Sequence, residues 1–326
     1  LAACSGSSTS DKASPAVGAK GARPAEAPPA FTVGGFAIDV PATEVKGGEE
    51  LLPCFIFPLD VTGPSRIVGG AKLTVGKGMH HGNVVSRKKT GEGVRPCPKE
   101  ENPELIGGEG FDVLNGGSVL FGSSTQVNGV EWRTFPAGHG FAIKDGFEIV
   151  ARMHYLNPGT EPITVAPKYE WFTIDESKLV HKLAPFVWTY KDFKIGPNAT
   201  KTVTGKCTLP SGMHVVSAMP HMHAKGTAFT AGYLGGALDG KLFLDSKGYD
   251  PDNGVIESYD PPVDLSQGDG ATFSCTWHNP LDKEIGEGIG DNEMCILMGY
   301  AWPPEQTYTT LASDATGACV YVVAPP

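Results

Sequence analysis

Long hydrophobic runs are missing from this chain of 326 residues. No apolar stretch approaches the roughly 18 residues that a membrane-crossing helix needs, and no extended 3.6-residue periodicity marks a long amphipathic helix. Basic clusters are missing too. With 26 Lys and Arg against 36 Asp and Glu, the formal net charge is −10, which leaves no electrostatic footprint for a nucleic acid. An acidic surface of this kind favours solubility and says little about substrate. Two familiar metal patterns, CxxC and HExxH, are also absent, so a zinc ribbon, a thioredoxin-like motif and a zincin helix are unsupported.

What the chain has instead is turn chemistry. Its 43 Gly and 27 Pro make up roughly a fifth of the sequence and are dispersed among short Val, Ile, Phe and Thr runs. Examples of such runs are Cys54–Leu59, Phe147–Tyr155 and Phe186–Tyr190, punctuated by Gly-Gly, Asn-Pro-Gly and Asp-Asn-Gly signals. The pattern predicts an all-β protein of two tandem antiparallel β-sandwich (jelly-roll-like) domains, residues 31–178 and 179–326. The polar stretch from Gly91 to Gly110 reads as a surface loop.

The first residues carry a separate signal. Leu1-Ala2-Ala3-Cys4 resembles the lipobox of a bacterial lipoprotein, in which the Cys becomes the lipidated first residue after signal cleavage. Residues 5–30 are mostly Ser, Ala, Lys, Gly and Pro, with almost nothing to bury, and read as a disordered tether. The expectation is an exported protein held to a bacterial membrane, periplasmic or outer-membrane, through that anchor alone. Setting Cys4 aside leaves Cys54, Cys97, Cys207, Cys275, Cys295 and Cys319, an even count that implies three disulfides of open connectivity.

The nine histidines are clustered. His221-Met222-His223 is an HxH, and in a strand i and i+2 share a face, so both rings can reach one ion. His80 and His81 are adjacent and point to opposite faces of a regular strand. They can share an ion only if the backbone bulges or one ring turns to use its other nitrogen. His154 lies in a strand-like run. No Asp or Glu sits at close spacing to complete a zinc or facial iron triad, and imidazole with a thioether would select copper. Met294, in Asn292-Glu293-Met294-Cys295, is the candidate thioether, although a Met beside apolar residues is ordinarily core.

Taken together and in order, His80-His81, Met153-His154-Tyr155, His221-Met222-His223 and Asn292-Glu293-Met294-Cys295 resemble the motifs of the copper type II, ascorbate-dependent monooxygenases. That family includes the peptidylglycine α-hydroxylating and dopamine β-monooxygenases. The resemblance runs from about Cys54 to Cys319 and implies two copper ions per chain. One would sit on His80, His81 and His154, and the other, where O2 reacts, on His221, His223 and Met294. It further implies ascorbate or another electron donor, a small-molecule substrate hydroxylated at a C–H bond, and His214 as a supporting residue behind the HxH. The disulfides it implies are Cys54–Cys97, Cys207–Cys319 and Cys275–Cys295. The last would clamp the neighbour of Met294 and contribute roughly 3 kcal/mol on the chain-entropy model.

The sequence departs from the peptide-amidating members where they hold the substrate's carboxylate. The corresponding positions are Met219, Ile296 and Met298, none of which pairs with an anion, and an unpaired buried carboxylate is costly. A neutral or apolar substrate is therefore expected. A non-catalytic copper-binding or copper-delivery lipoprotein on the same scaffold is the alternative, although a carrier needs only one of the two ligand sets. His139, His181 and His278 carry no family role and read as solvated or hydrogen-bonded.

Overall fold

The computed structural model describes residues 27–98, 117–123, 127–209, 212–249, 256–288, 291–307 and 309–323. Cys4 and most of the tether lie outside them. The last tether residues are seated on the first sandwich: Pro29 is buried against Gly69 and Gly70, and Thr134 Oγ1 donates to the Ala27 carbonyl at 3.3 Å.

The fold is all-β, and its helical segments among the described residues are three-residue 3-10 turns. Burial patterns explain the layers. Strand Ala199–Thr208 alternates exposed and buried positions, as a strand with one wet face should. Strand Phe147–Leu156 is buried along most of its length, because it sits centrally in a six-stranded sheet between Cys54–Pro58 and Met79–Lys88. A four-stranded sheet serves the second half, with Gly270–Asn279 between Ala199–Thr208 and Gly226–Leu234.

Both smaller sheets pack on a single 11-stranded sheet that runs through the whole molecule. The ladders are antiparallel with two exceptions, of which one joins the halves. Strand His139–Ala142 pairs in parallel with His181–Lys191, matching His139 to His181, Gly140 to Lys182 and Phe141 to Leu183. Among the described residues it is the sole strand pairing between the halves. Two cores result. Leu73, Val84, Ile149, Tyr155 and Trp171 fill the first, and Trp188, Phe229, Phe273, Trp277 and Leu297 fill the second. The first core also takes Val216 and packs Tyr300 and Trp302 from the second half, so the halves adhere face to face.

Three disulfides, Cys54–Cys97, Cys207–Cys319 and Cys275–Cys295, staple this frame and fit an oxidising, exported setting. Cys54–Cys97 also draws part of the expected surface loop into order, with Arg95–Pro96 pairing alongside Phe55 and Ile56. Beside it, Glu148 is buried and accepts from Arg87 Nε at 3.0 Å, Arg95 Nη2 at 2.6 Å and Thr90 Oγ1 at 2.8 Å. Burial pushes the Glu148 carboxyl up, but hydrogen bonds from Arg95, Thr90 and Arg87 outweigh it and hold the group below the usual carboxylate range. This network ties the strand that carries His80 and His81 to the one that carries His154. Glu148→Ala would leave Arg87 without its buried partner and is expected to lower unfolding free energy by about 3–5 kcal/mol. A denaturant midpoint unchanged from wild type would contradict that role.

Candidate metal centre

His81 and His154 are directly opposed in the antiparallel pairing of Met79–Lys88 with Phe147–Leu156. The next pair is Tyr155 with Met79, so His80 is an extra residue with no partner position. Such a bulge turns two successive side chains to one side, and this is the distortion that a shared ion demands of an adjacent His pair. The ring centroids of His80 and His81 lie 4.6 and 4.8 Å from that of His154, and one ligand nitrogen from each ring lies within 4.8 Å of the others. His154 Nε2 lies 2.5 Å from Glu50 Oε1. The carboxylate accepts, so Nε2 holds the proton and Nδ1 is left for a metal. Close sequence spacing gave no sign of this carboxylate, because Glu50 is 104 residues away.

The second set lies on the strand His214–His221 and the turn after it. His221 and His223 rings are 5.3 Å apart and nearly perpendicular. His223 Nδ1 donates to the Asn292 carbonyl at 3.0 Å, which fixes the tautomer and leaves Nε2 as the ligand atom. Glu293 is fully buried and its two oxygens accept from the backbone N–H groups of His223 and Lys225, at 2.8 and 2.7 Å. Asn292 and Glu293 therefore bind the Met294 turn directly to the HxH turn. On the other side of Met294, Cys295 is bonded to Cys275 and its carbonyl accepts from Tyr190 N–H at 2.9 Å. Met294 itself is half-buried between these anchors.

The two sets are neighbours. The rings of His81 and His221 lie 6.5 Å apart, so no solvent-filled cleft separates them. The continuous sheet and shared core close that gap. Desolvation, then the charges of His154, His221, His80 and His223, drives the His81 imidazole well below its usual range. Burial, with His223 second, lowers His221 to about 3. Both rings are therefore neutral at ordinary pH, the form that ligates metal. Five imidazoles, with a thioether on the turn that Glu293 ties to the HxH, are a donor set that suits copper.

His214 lies elsewhere. It stacks on Trp302 at 3.8 Å, at the far end of its strand from His221, with Asp264 Oδ1 3.6 Å from Nδ1. Trp302 stacks on His181 at 3.7 Å over its other face, and His139 lies 4.8 Å beyond. His214 therefore does not stand behind the HxH but belongs to an aromatic stack at the parallel seam. His278 lies on a strand, with Nδ1 3.1 Å from Thr200 Oγ1.

No family model and no curated protein matches this chain. Among solved structures, it is similar to the major capsid protein P2 from bacteriophage PM2 at 10% identity. That alignment covers 83% of this chain and 99% of the other, with a TM-score of 0.29. The infectious bursal disease virus VP2 subviral particle aligns at 11% identity over 83% of this chain and 72% of the other, with a TM-score of 0.19. Likenesses at these scores bear on neither fold nor function.

Two outcomes follow from the site. Glu293→Gln cannot accept both backbone N–H groups, so Cu(I) affinity at the His221–His223 pair should fall about 10–100-fold in a competition titration. An unchanged affinity would remove Glu293 from the site's support. The second concerns acid. Burial first, then His139 and His214, lowers the His181 pKa below 6.5. On unfolding in acid that ring takes up a proton, as do His81 and His221, so the unfolded state binds more protons and stability falls as pH drops below about 6.5. Denaturant unfolding of metal-free protein should show this decline between pH 7 and 5, with a shallower slope in His181→Gln. A flat profile would contradict the shifts.

Proposed function

We propose that this protein is an exported, lipid-anchored dicopper monooxygenase. The observation that carries the reading is the convergence of His80, His81 and His154 beside His221 and His223, on a backbone bulged so that all five rings face one region. The motif resemblance and the turn that holds Met294 support it. Cys4 would carry the lipid.

The overall conversion consumes a substrate C–H, O2, two electrons and two protons, and yields an alcohol and water. Ascorbate or another donor supplies the electrons. Copper supplies the one-electron redox chemistry and the site for O2. The residues supply placement. Glu50 orients His154, and Asn292 orients His223 through its Nδ1, leaving Nε2 free of that bond. The short distance between His81 and His221 supports an electron-storing site working beside an oxygen-using one. Apolar Met219 and Met298 stand where an anion receptor would be needed for an acidic substrate, so the substrate has no carboxylate at that position.

The test has two readouts. Equilibrium dialysis should give two copper ions per chain, with His154→Ala and His223→Ala each removing one. Met294→Ala, compared with wild type at saturating copper, should lose substrate-dependent O2 uptake with ascorbate by tenfold or more, because the thioether sets the redox balance there. Equal uptake by the two proteins would leave a copper carrier as the better reading.

A further inference from the structure

The face that joins the two halves carries a row of side chains with a definite order. Pairing between His214–His221 and Ile296–Trp302 matches His214 to Trp302, Ser217 to Tyr300, Met219 to Met298 and His221 to Ile296. Val216 is an extra residue in that ladder, lying between the pairs Val215–Ala301 and Ser217–Tyr300. Strict alternation would put His214 and His221, seven residues apart, on opposite faces. The bulge restores them to one face, with Ser217 and Met219 between them.

Between those two ends lies a cavity of about 60 Å3. Its second-half wall includes Ser217, Met219, Met298 and Tyr300, and its first-half wall includes Phe121 and Phe141. At one end Tyr300 closes it, stacked on Phe141 at 5.0 Å, with its hydroxyl donating to the Val119 carbonyl. Toward the other end the row runs on from Met219 to His221, one i to i+2 step or about 7 Å along the strand. A side chain in this row that moved aside would connect the cavity with the histidines. The first half supplies the matching approach: Gly122 faces Met219, and its partner in the ladder is Asn83, two residues after His81.

Resting on the monooxygenase reading, we infer that this cavity is the substrate chamber and that it takes an uncharged aromatic or hydrocarbon group. The walls are mostly apolar, rings and thioethers among aliphatic residues, with the hydroxyls of Thr134, Ser217 and Ser258 as uncharged polar groups. One charged side chain reaches the lining, and its charge is already balanced: Arg133 is ion-paired to Glu131, and its guanidinium lies 5.4 Å from the Phe121 ring centroid. The ion pair leaves no net positive charge at the lining. The volume equals roughly four to six water-sized positions and is well below the ~150 Å3 of an apolar cavity that holds benzene. A ring therefore enters only if the wall yields. Met219 and Met298 are the adaptable part of it, unbranched and directly opposed across the ladder. Met219 is the specificity-determining residue, since it stands between the cavity and His221.

Binding is read without copper or O2, on the full chain with 13C-labelled methionine methyls. Toluene should shift the Met219 and Met298 resonances saturably, and benzoate should bind at least tenfold more weakly. Met219→Arg should reduce toluene affinity tenfold or more, whereas Met219→Leu, which preserves volume and polarity, should keep it within about threefold. The inference is overturned if toluene leaves both methyls unmoved in wild type, if benzoate binds as well as toluene, or if Met219→Leu loses binding as fully as Met219→Arg. Failure here with two-copper stoichiometry and O2 uptake intact removes the chamber alone. Toluene binding in a protein without copper-dependent O2 uptake upholds the cavity and removes the oxidative reading instead.

Discussion

Three residue pairs, His139 with His181, Gly140 with Lys182 and Phe141 with Leu183, hold the two halves in one sheet. A parallel ladder this short contributes little by itself. Its effect comes from what it aligns, because the side chains on either side of the seam must then pack on each other rather than on water. Val216, Tyr300 and Trp302 join the first core as a result, and His181 and His214 sandwich Trp302. The same closure carries His221 to within 6.5 Å of His81 and lines an apolar cavity with side chains from both halves. An open cleft would have hydrated these rings. Closure desolvates them, and that burial is the first cause of the lowered pKa of His81 and of His221.

Two one-residue bulges then set the chemistry. In a regular strand the side-chain period of two would split His80 from His81 and His214 from His221. The extra residue at His80 gathers three imidazoles on one side, and the extra residue at Val216 puts both ends of the HxH strand on the interface. A bulge sacrifices local ladder hydrogen bonds, so it persists only where surrounding packing fixes the register. Here the fixing groups include the Glu148 network and the Cys275–Cys295 bond. At the Met294 turn, buried Glu293 acts in the same sense, joining two chain segments through backbone donors rather than through side-chain charge.

Much of this was legible in the residues. Short β-branched runs and dispersed Gly and Pro state the fold class, and the spacing of the His motifs marks which positions to examine. The disulfide pairs carried over from the resemblance are those the structure forms. Other partners were not legible. Glu50 meets His154 across 104 residues, and Glu293 meets His223 across 70, with no local pattern to announce either contact. His214 differs again, since the resemblance implied support for the HxH while its ring stacks on Trp302.

The sequence by itself determined the strand periodicity, the even set of cysteines and the identity of every candidate donor, because those depend on residue type and short-range spacing. Only the tertiary structure decided that the two sandwiches share one sheet, that their histidine sets adjoin, and that an apolar cavity lies between the HxH and the seam. Those features arise from register and from contacts between residues far apart in the chain. A shift of one position in either ladder would turn the same side chains to the opposite face.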